Sequence, residues 1–424
     1  MEITKEVEVK NYAAWIGVDW GSEKHAIALQ VAGSKGVEQS ELKQTPEALH
    51  DWLLRLCNQF PGRQVAIAIE QSKGAVINFL LGFDFVHVFR IHPTSLKNYR
   101  KALAPSGAKD DPTDAELLLQ FVIYHCDRLK PWVPDDPPTR ALQALVEFRR
   151  KLVAERTRLT NALTQKLKEY FPQALDWAGD LDTVMACDFL TRWPTLEKLQ
   201  KTRPETIRKF YQTHGSRNRD LTDQRLDQIR LAIPLTRDSA VIETSVLMVQ
   251  TMVNQLGPLF PSIRNIDAEI QKIFRTHPDF EIFDSFPGAG AALAPRLLTA
   301  LGSQRDRFES VEEVQKYSGI APVMERSGKT KWVHQRYACS TFIRQSFHEF
   351  AGHSILHCEW ARAYYLMQRN RGKQHHACVR ALAYKWIRVI FRCWNNHVPY
   401  NNAKYVESLK RKNAPCLAFL PIAA

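Results

Sequence analysis

Apolar residues are arranged differently in three successive stretches of this 424-residue chain. Up to about residue 130, apolar runs of strand length alternate with amphipathic ones. The clearest are Ala13-Ala14-Trp15-Ile16-Gly17-Val18, His25-Ala26-Ile27-Ala28-Leu29 and Val65-Ala66-Ile67-Ala68-Ile69. The pattern predicts strands over 14–20, 24–31, 64–70 and 85–91 and helices over 46–59, 73–82, 93–104 and 112–128, hence an α/β domain over residues 1–130. Pro131, Pro134, Pro137 and Pro138 then read as a linker.

From residue 139 the period changes to seven. Leu145, Leu152 and Leu159 share a stretch with Leu142, Leu163 and Tyr170 on the companion seam. Ile242, Val249, Leu256, Ile263 and Ile270 repeat the pattern, with Met252, Leu259, Ile266 and Ile273 beside them. This predicts a long helical coiled-coil middle over 139–280, its heptads packing on each other or on a second copy of the chain. Gly257, Pro258 and Pro261 should break the second heptad segment. Residues 176–235, polar, Arg-rich and without a period, read as a mostly helical insertion. A mainly α domain over 281–424 completes the chain. Its Phe286-Pro287-Gly288-Ala289-Gly290 feeds a helix-like run from Ala292 to Leu301, the pattern of a helix-hairpin-helix turn whose amides, at Gly288 and Gly290, hold a nucleic-acid phosphate.

On this framework four carboxylates stand out. Asp19 ends the first strand run just before Gly21, and Glu70 ends the third, where open α/β sheets carry their chemistry. Asp111 and Asp114 flank Pro112 at the mouth of a predicted helix, three apart and on one face. Each has an ordinary reading: Asp111 as a helix cap with Asp114 answering the dipole, Asp19 as a turn residue, Glu70 as a solvated strand end. Taken together in this order of elements, four hard oxygen donors suit divalent cations handling a phosphodiester.

Charge points the same way. The net charge is +13, and residues 325–424 alone hold 17 Lys and Arg against Glu325, Glu349, Glu359 and Glu407. Trp332, Tyr337, Trp360, Tyr364, Tyr365, Trp386 and Trp394 are interleaved with those cations, a composition suited to a phosphate backbone with stackable bases. No apolar stretch approaches the roughly 20 residues of a membrane span, and Met1-Glu2-Ile3-Thr4-Lys5-Glu6 does not resemble a signal peptide, so a cytoplasmic protein is expected. The eight cysteines form no Cys-x-x-Cys pair, which suits reduced thiols. His353, His357, Cys358 and His375, His376, Cys378 have the residue types of a zinc site, but helical packing explains them as well.

One more candidate lies in Glu325-Arg326-Ser327-Gly328-Lys329-Thr330-Lys331. Ser327 sits among Arg326, Lys329 and Lys331, with Arg336 and Arg344 downstream, where a serine can attack a phosphodiester while cations neutralise its oxygens.

In order and spacing, these motifs resemble the DEDD transposases of the one-ten family of insertion sequences, which are RNA-guided recombinases. The likeness covers nearly the whole chain: the Gly17-Val18-Asp19 hairpin, Ile69-Glu70, Lys109 to Ala115, Leu142 to Leu167, the Pro-Gly-Ala-Gly turn, Gly319 to Gly328, and Tyr364-Tyr365 with Arg371-Gly372-Lys373. It implies an RNase H-like (RuvC-like) first domain with Asp19, Glu70, Asp111 and Asp114 holding Mg²⁺, or Mn²⁺ in its place, and Ser327 as the catalytic serine. Asp110 is the alternative third ligand. The implied reaction is excision and insertion of the element by strand exchange, with target and donor DNA chosen by a structured noncoding guide RNA. Arg371 and Lys373 join the nucleic-acid contacts, and a homodimer or homotetramer associated with the prokaryotic nucleoid is expected. Ser327 lies over two hundred residues from the nearest of the acids, so folding or a second subunit must unite them. Two rivals remain: a Holliday-junction-resolvase-like nuclease, which needs neither the serine nor so long a basic domain, and a non-enzymatic nucleic-acid-binding scaffold, which leaves the carboxylates idle. An actin-like phosphotransferase would need a second Gly-rich phosphate loop before a long helix, which this sequence does not contain.

Overall fold

The structure is a computed structural model that describes residues 11–70, 74–103, 111–216 and 218–420. Asp110 and Lys109 lie outside the described residues. Two compact units divide at Pro134/Asp135.

The first unit is built on a five-stranded sheet: β1 (Ala14–Asp19), β2 (Lys24–Val31), β3 (Glu38–Lys43), β4 (Val65–Ile69) and β5 (Val86–Arg90), in the order β3-β2-β1-β4-β5. β1, β4 and β5 run parallel; β2 and β3 are antiparallel additions on one side. Its helices are α1 (Pro46–Gln59), α2 (Ala75–Leu80), α3 (Pro93–Leu103) and α4 (Asp111–His125). α1 starts where Thr45 Oγ1 accepts the Ala48 amide at 3.3 Å with Pro46 in the first turn, and it buries Leu49, Trp52, Leu53 and Leu56 in one stripe.

The run Val65-Ala66-Ile67-Ala68-Ile69 shows how the sheet sorts its faces. Alternate side chains point to opposite sides of a strand. Val65, Ile67 and Ile69 join Ile16 and Val18 under α1 and α2. Ala66 and Ala68 face the other layer, where Phe89, Leu96 and Leu118 pack, and Ala26 and Ala28 meet Ala115 and Leu119 of α4. Large residues fill one side; small ones admit a close helix on the other.

Strand β3 escapes the apolar pattern because it is an edge strand. Only Leu42 of its six residues is buried, and its polar side chains read as loop.

The second unit is helical apart from a two-stranded hairpin, β6 (Val323–Ser327) with β7 (Thr330–His334). Its helices are α5 (Pro137–Tyr170), α6 (Ala174–Trp177), α7 (Val184–Arg192), α8 (Leu196–Gln200), α9 (Pro204–Thr213), α10 (Arg219–Leu231), α11 (Ser239–Leu256), α12 (Leu259–Arg275), α13 (Phe280–Asp284), α14 (Gly290–Leu301), α15 (Val311–Tyr317), α16 (Thr341–His357), α17 (Glu359–Asn370), α18 (His375–Asn395) and α19 (Asn402–Arg411). Pro137 and Pro138 open α5 rather than forming a linker: they occupy its first turn while Asp136 Oδ1 accepts the Thr139 amide at 2.7 Å.

Helix α5 serves two cores. Leu142 and Val146 lie with α12–α14 and α16–α18, whereas Leu159, Leu163, Leu167 and Tyr170 lie with α6–α11. The heptad stretches pack on each other within the chain, since α11 and α12 both run against α5. The second stretch breaks at Gly257-Pro258, as its residues predict.

Candidate active site

β1 and β4 are parallel neighbours with Val18 opposite Ile69, so Asp19 and Glu70 leave the sheet side by side at its C-terminal edge, one strand spacing of about 4.8 Å apart in backbone. Both are partly exposed. α4 brings the other two acids. A Cβ added to Gly17 would stand 2.0 Å from the Ala115 carbonyl oxygen and 2.6 Å from the Leu119 nitrogen, so α4 lies directly on the β1 backbone two residues before Asp19. Asp114, adjacent to Ala115, is thereby buried at 2% exposure, while Asp111 at the helix start stays exposed. Asp111 is near enough to Lys24 that, after the dominant hydrogen bond and charge of Glu41, its own charge helps raise the Lys24 ammonium above its ordinary value.

Arg100, in the last turn of α3, meets Asp114. Its Nη2 is 2.5 Å from Asp114 Oδ1, a contact close in distance but not aligned as a hydrogen bond. Arg100 Nε likewise has no acceptor among the described residues. The pair balances a buried negative charge, yet leaves a carboxylate oxygen short of partners. Nothing in the sequence pattern singles out Arg100, because α3 and α4 meet only through the fold.

The tip of the β1–β2 hairpin has its own brace. His25 is fully buried; its Nδ1 accepts the Gly21 amide at 3.2 Å and its Nε2 donates to Gln44 Oε1. Burial pushes this imidazole below its ordinary pKa, outweighing the Gln44 hydrogen bond that raises it. A neutral ring therefore holds the turn after Asp19. Because the folded state lowers this pKa, the stabilisation is full above histidine's usual range and is lost as pH falls through the folded value. Thermal midpoints of the protein are expected to drop on acidification from neutrality to below about pH 6, and His25→Asn, whose amide oxygen keeps the Gly21 contact, should flatten that part of the profile.

As donors, the four carboxylates suit a hard divalent cation. They are not drawn into a closed cage: among the described residues no group of three or more His, Cys, Asp or Glu is gathered closely enough to hold an ion. The geometry explains the difference from the expected cluster, since Asp114 is turned to Arg100 and Asp111 lies out by Lys24. The His/Cys groups near 353–358 and 375–378 assemble no such group either; Cys358 and Cys378 are buried thiols.

In the second unit, Ser327 ends β6 and pairs with Thr330 across a two-residue turn in which Gly328 takes φ +57°. It is exposed, and Arg326, Lys329 and Lys331 around it are exposed as well. Arg336 and Arg344 play a different part from free phosphate ligands, because Arg336 Nε reaches the Ala321 carbonyl at 3.4 Å and Arg344 Nη1 the Arg336 carbonyl at 3.2 Å, tying down the base of the hairpin. Arg371 and Lys373 are exposed in the α17–α18 turn. Gly288 (φ +82°) packs so tightly on α16 that a Cβ would come within 3.2 Å of the His353 backbone, whereas Gly290 at the start of α14 faces open space. Of two other serines in this region, Ser318 is fully buried and Ser340 caps α16.

The interleaved aromatics need correcting. Trp360, Trp386 and Trp394 are fully buried core residues, their indole N–H groups donating to Tyr400 Oη, Ser354 Oγ and the Gly302 carbonyl, each at 2.8 Å. Tyr364 and Tyr365 are partly buried against the same core. A tryptophan that buries its ring while satisfying its N–H looks, in sequence, like one offered to a base. Of the seven, only Trp332 and Tyr337 are largely exposed, at 47% and 78%.

Known proteins match both parts of this picture. The model of a DEDD, IS110-type family, described as "Transposase", matches residues 16–172, from within β1 through the rest of the sheet, α4 and α5. A second, described as the IS116/IS110/IS902 transposase family, matches residues 280–366, including the hairpin. The chain belongs to the IS110 family of transposases. Among curated proteins it is 26% identical over 89% of its length to "Mini-circle putative transposase for IS117" of Streptomyces coelicolor, covering 92% of that protein. It is 30% identical over 49% of its length to "Putative transposase y4uE" of Sinorhizobium fredii, covering 58% of that one. The "Insertion element IS900 uncharacterized 42 kDa protein" of Mycobacterium paratuberculosis is 25% identical over 92% of this chain and 97% of its own. As an IS110-family transposase the protein is an enzyme that acts on DNA, with a mixed α/β N-terminal sheet and a helical remainder. Among the described residues no helix of this transposase is long and apolar enough to cross a membrane.

Proposed function

We propose that this IS110-family transposase excises and inserts its element as an RNA-guided recombinase, cleaving and exchanging DNA strands through Ser327. The observation that carries the reading is the pairing of Asp19 and Glu70 at the ends of adjacent parallel strands, with α4 laid on Gly17 so that Asp114 comes to the same strand. Asp19, Glu70, Asp111 and Asp114 would hold Mg²⁺, or Mn²⁺. A cation bound there supplies Lewis-acid stabilisation of charge on phosphoryl oxygens.

The chain's own residues do the rest. Ser327 Oγ passes its proton to solvent water and attacks phosphorus; a phosphoserine bond forms as the bond to a sugar oxygen breaks, and that oxygen leaves as a hydroxyl by taking a proton from solvent. A hydroxyl of the exchanged strand reverses the step and frees the serine. Lys329, in the turn next to Ser327, stabilises the equatorial oxygens; Arg326, Lys331, Arg371, Lys373 and the amides of Gly288 and Gly290 lie along the nucleic-acid path, and Arg336 and Arg344 hold the hairpin beside it. In this reading residues 1–130 form the RNase H-like domain, 139–280 the helical middle with its insertion at 176–235, and 281–424 the serine-bearing domain. The protein works as a homodimer or homotetramer, with sequence choice left to base pairing in a bound RNA.

The test is strand exchange between DNAs carrying the element's ends and its target, using preparations with and without nuclease treatment. Asp19→Ala and Glu70→Ala should each reduce exchange by at least about a thousandfold while leaving circular dichroism unchanged. Ser327→Ala should bind DNA normally and form no covalent protein–DNA adduct. Full exchange after complete removal of RNA would defeat the RNA-guided part of the reading; an adduct surviving in Ser327→Ala would defeat the serine part.

A further inference from the structure

The β6–β7 hairpin has two chemically different faces. Cross-strand partners in an antiparallel pair share a face, and neighbours along a strand alternate. The register pairs Glu325 with Trp332, Arg326 with Lys331, and Ser327 with Thr330. Ser327, Thr330, Trp332 and Glu325 therefore lie on one face, and Arg326 and Lys331 on the other.

Among the described residues, neither the Trp332 indole nor the Arg326 and Lys331 cations have a side-chain partner. Trp332 is 47% exposed and its indole makes no ring or hydrogen-bond contact among the described residues. Arg326 and Lys331 stand directly opposite each other with no carboxylate bound to either among the described residues, a like-charge cross-strand pair that costs the hairpin stability unless an anion lies against it. Glu325, the acid on these strands, is turned to His334 at 3.3 Å. The hairpin's base is meanwhile anchored, through Arg336, Arg344 and the contact of Arg380 Nη2 with Gln335 Oε1 at 3.0 Å. A ribbon anchored at its base, with an unpartnered indole on one side and uncompensated cations on the other, suits a nucleic-acid strand by both charge and stacking.

We propose that this hairpin holds a DNA strand between two kinds of contact: Trp332 stacks on an unpaired base beside the phosphodiester presented to Ser327, and Arg326 with Lys331 neutralises backbone phosphates on the opposite face. The placement beside the attacked bond rests on the reading of Ser327 as nucleophile; the stacking itself rests on the register and exposure of Trp332. Trp332 is thus a positioning residue, acting on the base so that the neighbouring phosphate meets the serine.

The full-length protein would be titrated with an oligothymidylate carrying one aminopurine, whose fluorescence falls when it stacks on an indole. Trp332→Ala should weaken binding roughly tenfold and lose most of the quenching, with an unchanged salt dependence. Trp332→Phe should recover much of the affinity. Arg326→Gln with Lys331→Gln should keep the quenching but lower the slope of log affinity against log salt by about 1.4, the value for two contacts to a single strand. Ser327→Ala should bind and quench like the wild type. Wild-type affinity and quenching in Trp332→Ala would overturn the stacking. An unchanged salt slope in the double variant would overturn the phosphate face. An adduct surviving in Ser327→Ala would instead overturn the serine reading, and with it only the placement of the stacked base.

Discussion

Gly17→Ala is expected to unfold the first unit or to strip α4 from its sheet. The new methyl would sit 2.0 Å from the Ala115 carbonyl oxygen and 2.6 Å from the Leu119 nitrogen, both backbone atoms of a helix interior that cannot rotate away. Relief requires moving α4 by more than an ångström off β1, which opens the layer of Ala26, Ala28, Ala115 and Leu119 beneath it. Overpacking a well-packed core costs about 1–3 kcal/mol even where side chains can shift, so a clash against fixed backbone should exceed about 3 kcal/mol, a large share of a domain's stability. Gly33→Ala is the control. It has φ +82° but nothing within 4 Å of the added methyl, so it should cost only about 1 kcal/mol of backbone strain. Limited proteolysis and chemical denaturation read the difference. A Gly17→Ala protein as stable as the Gly33→Ala one would show that α4 does not lie on β1 as described.

The second large effect is expected from Arg100→Ala. It leaves Asp114, 2% exposed, as a buried carboxylate without its cation. Breaking a buried ion pair from one side typically costs 3–5 kcal/mol; since Arg100 is itself 17% exposed, water recovers part of this and about 3 kcal/mol is expected. Asp114→Asn in the same chain should restore most of the loss, because no charge is then stranded. Magnesium separates the structural from the functional role of Asp114. If Asp114 is a metal ligand, millimolar Mg²⁺ should raise the thermal midpoint of Arg100→Ala by more than that of the wild type, since no guanidinium competes for the carboxylate. The Asp114→Asn variants should lose that increment. Equal Mg²⁺ responses in all of these proteins would remove Asp114 from the metal site and leave it a structural partner of Arg100.

The contrast between β4 and β3 shows which parts of the fold a linear reading can reach. Val65-Ala66-Ile67-Ala68-Ile69 is a strand because every position is buried, and its alternation of large and small residues already encodes which face will take the closer helix. Glu38–Lys43 is a strand only because β2 offers it a hydrogen-bonding edge; its own side chains remain in water. The aromatic residues divide in the same way. A tryptophan's composition and neighbours are the same whether it fills the core with a satisfied N–H, as Trp386 does, or stands on an exposed hairpin, as Trp332 does.

By itself, the sequence determined the local elements whose periodicity repeats within a few residues: the apolar strands, the heptad helices, the break at Gly257-Pro258, and the acids placed at the ends of those elements. Those signals are local because burial of one strand or helix face is written into residues two, three or four positions apart. Tertiary structure alone decided that Asp19 and Glu70 end neighbouring strands, that Gly17 admits α4, that Arg100 of α3 meets Asp114, and which of the basic region's aromatics reach solvent. These depend on contacts between residues far apart in the chain, and their energies come from charge balance and close packing that no single segment carries.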